Sequence, residues 1–297
     1  MSNADLRRLW KLGAVACLAT AFAGCADVDK LREAQASFNA ASTAETEGRL
    51  SAYTRVSGAG ANVGDLSVQA SAGYAKTIVI LKGLKDKEIQ QLQADKLWGE
   101  AQTIEALSYW RLKDYDHATQ VASSIQPKDL FPRDAAVVDA LPGLIKISQA
   151  NEDIFMDDPQ APYKDASGRQ CLYGGGAPGR KNFGQIDSLL DSAIQDLEQA
   201  TAKAAPTDPV YTYLMQAQFS AYKNKSDALA YGCRAPNPPP GKRVPTAAEL
   251  QAAQSKMNKF YCGLRSNTPK TTVDALIEFW TTILGLNIPD ASVCSLQ

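Results

Sequence analysis

The sequence predicts an all-α protein: an array of helical hairpins followed by a C-terminal helical segment pinned by disulfides. Three observations carry that expectation. Apolar residues recur at three- and four-residue spacing through most of the chain, beginning with Leu31, Ala34, Phe38 and Ala41, which is the period of a helix with one buried face. Residues 100–127, "EAQTIEALSYWRLKDYDHATQVASSIQP", mix small alanines with aromatics over two helix-length runs joined by a short polar turn. Finally, Cys171, Cys233, Cys262 and Cys294 all fall in the C-terminal half, an even number suited to two bridges in an oxidising compartment.

The first element is a leader, residues 1–24. Arg7, Arg8 and Lys11 precede an uncharged stretch from Leu12 to Gly24, the order of a signal peptide's positive and apolar regions. Its thirteen residues would make roughly 20 Å of helix, short of the roughly 30 Å needed to span a bilayer. The end of this stretch with the residue after it, Phe22-Ala23-Gly24-Cys25, resembles the lipobox of bacterial lipoproteins. That resemblance implies lipidation of Cys25 as the first mature residue and a membrane tether. Two or three acyl chains hold a protein to a bilayer stably where one does so marginally. Ala26 stands where aspartate favours inner-membrane retention, so the resemblance implies the periplasmic face of the outer membrane.

The chain carries 31 Lys plus Arg and 32 Asp plus Glu, of which the leader holds Arg7, Arg8, Lys11 and Asp5. The mature part is therefore near −3, a balance that argues against a phosphate-tracking surface and against nucleic acid as a partner. The single histidine, His117, and the lack of C-x₂-C spacing argue against a metal site. No cofactor is expected.

Residues 25–156 are expected to form the helical array. After the amphipathic helix around Leu31 to Ala41, a glycine-rich break runs from Ser57 to Asp65. Tyr74, Ile78 and Leu81 then share a helix face, although the β-branched run Ile78-Val79-Ile80 would also suit a strand. In residues 100–127, Ala106, Tyr109, Leu112, Tyr115 and Ala118 lie at the spacings of a tetratricopeptide repeat, and the segment resembles one such unit. Ala34, Phe38 and Ala41, and later Ala193, Leu197 and Ala200, are similar to its second helix. In that family the first helix of each unit lines a concave groove for protein or peptide. Carried onto the matching segment, the resemblance implies a groove presenting Glu100, Thr103, Leu107, Trp110 and Arg111. His117 is expected on the exposed turn of this hairpin. The following helix reads as capped by Asp134, striped by Val137, Leu141, Leu144 and Ile145, and kinked or divided at Pro142. Its "DALPGLIK" is also similar to a segment of the T-component lipoproteins associated with TRAP transporters.

Residues 157–184 are expected to be a long loop pinned by Cys171, and residues 185–297 the C-terminal helical segment. Ile186, Leu189, Leu190, Ala193 and Leu197 stripe one helix, and Asp208-Pro209 reads as the cap and first turn of the next. A proline run, "APNPPPGKRVP", precedes a capping box formed by Thr246 and Glu249. Val273, Leu276, Ile277, Trp280, Ile283 and Leu284 form the last apolar face. Antiparallel successive helices would bring Cys171 and Cys233 to one end and Cys262 to the other, where the tail can return to it. The expected bridges are Cys171–Cys233 and Cys262–Cys294.

Enzyme motifs match poorly. "GGGAPGRK" has arginine and lysine where a phosphate loop needs lysine and Ser/Thr, with no preceding strand. Ser220-Ala221-Tyr222-Lys223 fits S-x-x-K without supporting motifs at workable distance. The expected function is therefore non-enzymatic: a membrane-anchored scaffold or adaptor binding an envelope protein or peptide. Two further readings stay open, a transport accessory with a small ligand in a helical cavity, and a cell-wall glycan enzyme marked by two buried carboxylates across a cleft.

Overall fold

The computed structural model describes residues 28–55, 63–154, 183–205, 208–231, 246–267, 270–278, 281 and 289–295. All regular structure among them is helical: α1 (Val28–Arg55), α2 (Val63–Lys82), α3 (Asp86–Ala94), α4 (Trp98–Arg111), α5 (Tyr115–Ser124), α6 (Pro132–Ile154), α7 (Phe183–Lys203), α8 (Pro209–Tyr231), α9 (Ala247–Asn267) and α10 (Lys270–Glu278), with short 3₁₀ turns at Pro127–Asp129 and Ala291–Ser295. No described helix is long and apolar enough to cross a membrane. Cys25, Cys171, Cys233 and most of the 157–184 segment lie outside the described residues.

The chain divides into two compact units. The first comprises the described residues of Met1–Leu141, Ala204–Thr212 and Ala275–Asn287, and the second those of Pro142–Lys203, Tyr213–Asp274 and Ile288–Gln297. The division falls inside α6 at Pro142 rather than at the 157–184 segment. The helix itself runs through Pro142, which is exposed and forfeits one backbone hydrogen bond.

In the first unit, α1 and α2 form a long antiparallel hairpin. Leu31, Ala34, Phe38 and Ala41 are buried, as their spacing predicts, against Ala70, Tyr74, Ile78 and Leu81. The backbones come closest where Gly73 faces Ala41: a Cβ on Gly73 would sit 2.8 Å from that of Ala41, so only glycine allows this crossing. Ser37 Oγ donates to the Gly73 carbonyl at 2.9 Å across the same contact. The β-branched run settles as helix because Thr77, Ile78 and Leu81 are buried while Val79 is exposed, a helical rather than an alternating pattern.

Helix α3, which the sequence pattern does not predict, starts where Glu88 accepts from the Lys85 backbone N–H, and its Leu92 is fully buried. Helices α3 and α4 end alike. The N–H of Leu97 reaches the Leu92 carbonyl and that of Lys96 the Gln93 carbonyl; Asp114 and Lys113 do the same with Tyr109 and Trp110. These are Schellman ends with lysine in the left-handed position, at φ 58° and 64°. The second brings Asp114 to cap α5, its side chain accepting from the His117 N–H. His117 is exposed as expected but sits in the first turn of α5 rather than on the connecting turn, its Nδ1 2.8 Å from Asp114 Oδ2 and its ring stacked on Tyr109.

Helix α6 begins two residues before the expected cap. Pro132 occupies its first position, where a missing N–H costs nothing, and Asp134 lies buried in the first turn with its N–H bonded to the Phe131 carbonyl.

The second unit packs α6 from Pro142 onward with α7, α8 and α9. Ile186, Leu190, Ala193, Leu197 and Ala200 are wholly buried along α7. Lys146 bridges to Asp196 at 2.6 Å, and Lys225 to Asp187 at 2.9 Å and Asp191 at 2.6 Å. Of the caps read from sequence, those at Asp208 and at Thr246 with Glu249 are present. Asp208 accepts from the Val210 N–H at 2.8 Å. Thr246 and Glu249 exchange bonds at 2.8 and 3.2 Å. Cys262 and Cys294 are disulfide-bonded, with Cα atoms 5.3 Å apart, so the 3₁₀ turn Ala291–Ser295 is held to α9.

Candidate functional site

The expected groove on α4 is occupied by the chain itself. Glu100, Thr103, Leu107 and Trp110 are all buried, because α1 lies against this face and α6 approaches its N-terminal end. Gln35 Nε2 donates to Glu100 Oε1. One α1 turn cluster further along, Arg111 donates to Glu45 at 3.2 Å, and Tyr74 donates to the other Glu45 oxygen at 2.7 Å. Burial and the neighbouring Glu45 push the Tyr74 phenol far above its usual range, with Arg111 opposing. Arg111 also stacks on Trp110, its guanidinium carbon 4.2 Å from the ring centroid. The expected anchor pair is thus part of an internal α1–α2–α4 junction. Both helices of the first hairpin lie against α4: α2 packs along it, and α1 reaches it through Gln35 at Glu100 and Glu45 at Arg111.

At the other end of that covered face sits an unusual polar cluster. Glu100 and Asp134 are each only 4% exposed, where carboxylates are seldom found unless paired. Gln35 supplies the one hydrogen bond described to Glu100. Asp134 has Arg133 Nε at 3.7 Å from Oδ1, while its Oδ2 has no hydrogen-bond partner among the described residues. Burial, then the repulsion of Asp134, push the Glu100 carboxyl up to about 7; Gln35 and Arg133 act against this. Asp134 is raised by burial and by Asp208, with Arg133 opposing. Burial thus favours the neutral form of each carboxyl.

A backbone contact locks this corner. A Cβ on Gly99 would lie 2.2 Å from the Asp129 carbonyl oxygen, so the 3₁₀ turn preceding α6 rests directly on the start of α4. Glu100, the next residue, is buried and bonded to Gln35 of α1. Among the described residues no group of three or more His, Cys, Asp or Glu side chains is arranged to hold a metal ion.

No family model, curated protein sequence or solved structure matches this chain.

The accessible strip of the first unit lies elsewhere, on the outer face of α2. Val68 and Val79 are each 70% exposed, and Ala72 and Ala75 lie exposed between them. Steps of four, three and four residues put all four on one helix face. Lys76, paired with Glu33 at 3.3 Å, flanks the strip. The spacing rule that marks the buried stripe of α2 marks this strip on its opposite face as well.

Proposed function

We propose that this chain is a non-enzymatic, lipid-tethered scaffold on the periplasmic face of the outer membrane, with Cys25 as the tether. Its exposed α2 strip docks a helix of an envelope protein. The observation that carries the docking half is the run Val68, Ala72, Ala75 and Val79: uncharged, exposed, and about 16 Å long at 1.5 Å per residue. Exposed apolar strips rimmed by polar residues mark interaction sites. Side chains this small let a second helix approach closely. The strip also replaces the α4 groove as the candidate binding face, since Glu100, Thr103, Leu107, Trp110 and Arg111 are engaged within the chain.

The lipobox resemblance at Cys25 supports the address, and the all-helical architecture supports an array whose outer faces serve for docking. The glycan-enzyme reading has its two buried carboxylates in Glu100 and Asp134, but α1 closes over Glu100. Val79→Glu tests the docking half. It places a charge in the strip at a solvent-exposed position, where the effect on folding should stay within about 0.5 kcal/mol. Loss of a specifically co-purified envelope protein, with an unchanged melting temperature, is the expected result. Equal recovery by wild type and Val79→Glu would remove the strip from the account.

A further inference from the structure

We infer that the helix docked on the exposed α2 strip is α2 of a second copy of this chain, packed antiparallel about a two-fold axis that passes between Gly73 and Tyr74. This rests on the docking reading and names its occupant. The strip reads the same in both directions: Val68, Ala72, Ala75 and Val79 follow at steps of four, three and four. A two-fold axis perpendicular to the helix at the midpoint therefore sets Val68 against Val79 of the second copy, and Ala72 against Ala75. Both valines stand 70% exposed and both alanines are exposed, so each side of every such contact is open to receive the other. Pairing of like with like about a two-fold axis requires one patch complementary to itself, whereas a partner of another sequence requires no symmetry in the strip.

The flanks obey the same symmetry. Lys76 and Glu33, ion-paired at 3.3 Å and each more than half exposed, border the strip on one side. Lys76 lies two and a half residues from the midpoint, so the axis brings two such pairs together at points about 7.5 Å apart along the helix. Two cations and two anions meet there and can exchange partners. The opposite flank presents exposed, uncharged Ser71 from each copy. Charge beside the axis thus cancels, as a self-pairing surface needs. A helix strip about 16 Å long buries less than the roughly 800 Å² per partner of a standard interface, so free chains pair weakly. Copies tethered to one membrane face meet at a raised effective concentration.

The test therefore uses the full chain in cells. Two differently tagged copies are co-expressed, one carrying a photoreactive amino acid at Ala72. The expected adduct has twice the chain mass, carries both tags, and maps to within one turn of Ala75 in the second copy. Val79→Glu in both copies should cut it at least roughly tenfold, because the axis repeats the buried charge. Val68→Lys in one copy with Val79→Glu in the other sets opposite charges face to face at one contact and leaves valine on valine at the other, so the adduct should return. Unchanged melting temperatures of the variants, expected at exposed positions, separate pairing from folding. An adduct with a different protein would overturn self-pairing while leaving the docking reading in place, and no adduct from Ala72 would remove both. A two-tag adduct that the mixed pair fails to restore would overturn the two-fold arrangement.

Discussion

Replacing Glu100 by glutamine should make the protein more stable at neutral and mildly alkaline pH, an unusual outcome for a buried position. The glutamine keeps the shape of the side chain and an oxygen to accept from Gln35, and it removes the charge. The size follows from linkage. A folded-state value of about 7 against 4.5 corresponds to at most about 3 kcal/mol of stability that wild type has below pH 4.5 and has lost by about pH 7. Glutamine does not titrate, so the variant and wild type should be close at pH 4.5 and diverge above it. At about 2–4 °C per kcal/mol for units of this size, the melting temperature of the variant should exceed that of wild type by up to about 12 °C at pH 8. Circular-dichroism melts across pH 4.5–8 read this directly. A difference that does not change with pH, or a variant less stable than wild type at pH 8, would refute the reasoning.

Gly99→Ala should destabilise by about 1–3 kcal/mol or more, since its methyl meets the Asp129 carbonyl and backbone, not a yielding side chain, must move; chemical denaturation measures it, and a loss under 0.5 kcal/mol would show that the turn before α6 is free to shift. Cys25→Ser should abolish acyl labelling and leave uncleaved precursor or protein released from the membrane; mature protein that still carries acyl label would end the tether reading.

The parts of the fold legible in the sequence were those written locally. Asp208 and the Thr246–Glu249 box declare helix starts within three residues, and both are present. The buried stripes of α1, α2 and α7 follow from period alone. The Cys262–Cys294 bridge needed only the return of a short tail. What failed was the step from face to neighbour. Period identifies Glu100, Thr103, Leu107 and Trp110 as one face of α4, but not what lies against it. The partners, Gln35 and Glu45, stand some 65 residues away on α1. The Glu100–Asp134 pair was hidden for the same reason: each residue had a satisfactory local role, groove lining for one and helix cap for the other. Asp134 lost its role when Pro132 took the first position of α6.

The docking claim is tested most directly by photo-crosslinking in intact cells, with a photoreactive amino acid placed in turn at Val68, Ala72, Ala75 and Val79, and at the exposed α1 positions Asn39 and Thr43 as controls. The account predicts the same discrete envelope-protein adduct from the four α2 positions and none from the two controls. Adducts absent from α2, or equally abundant from α1, would contradict it.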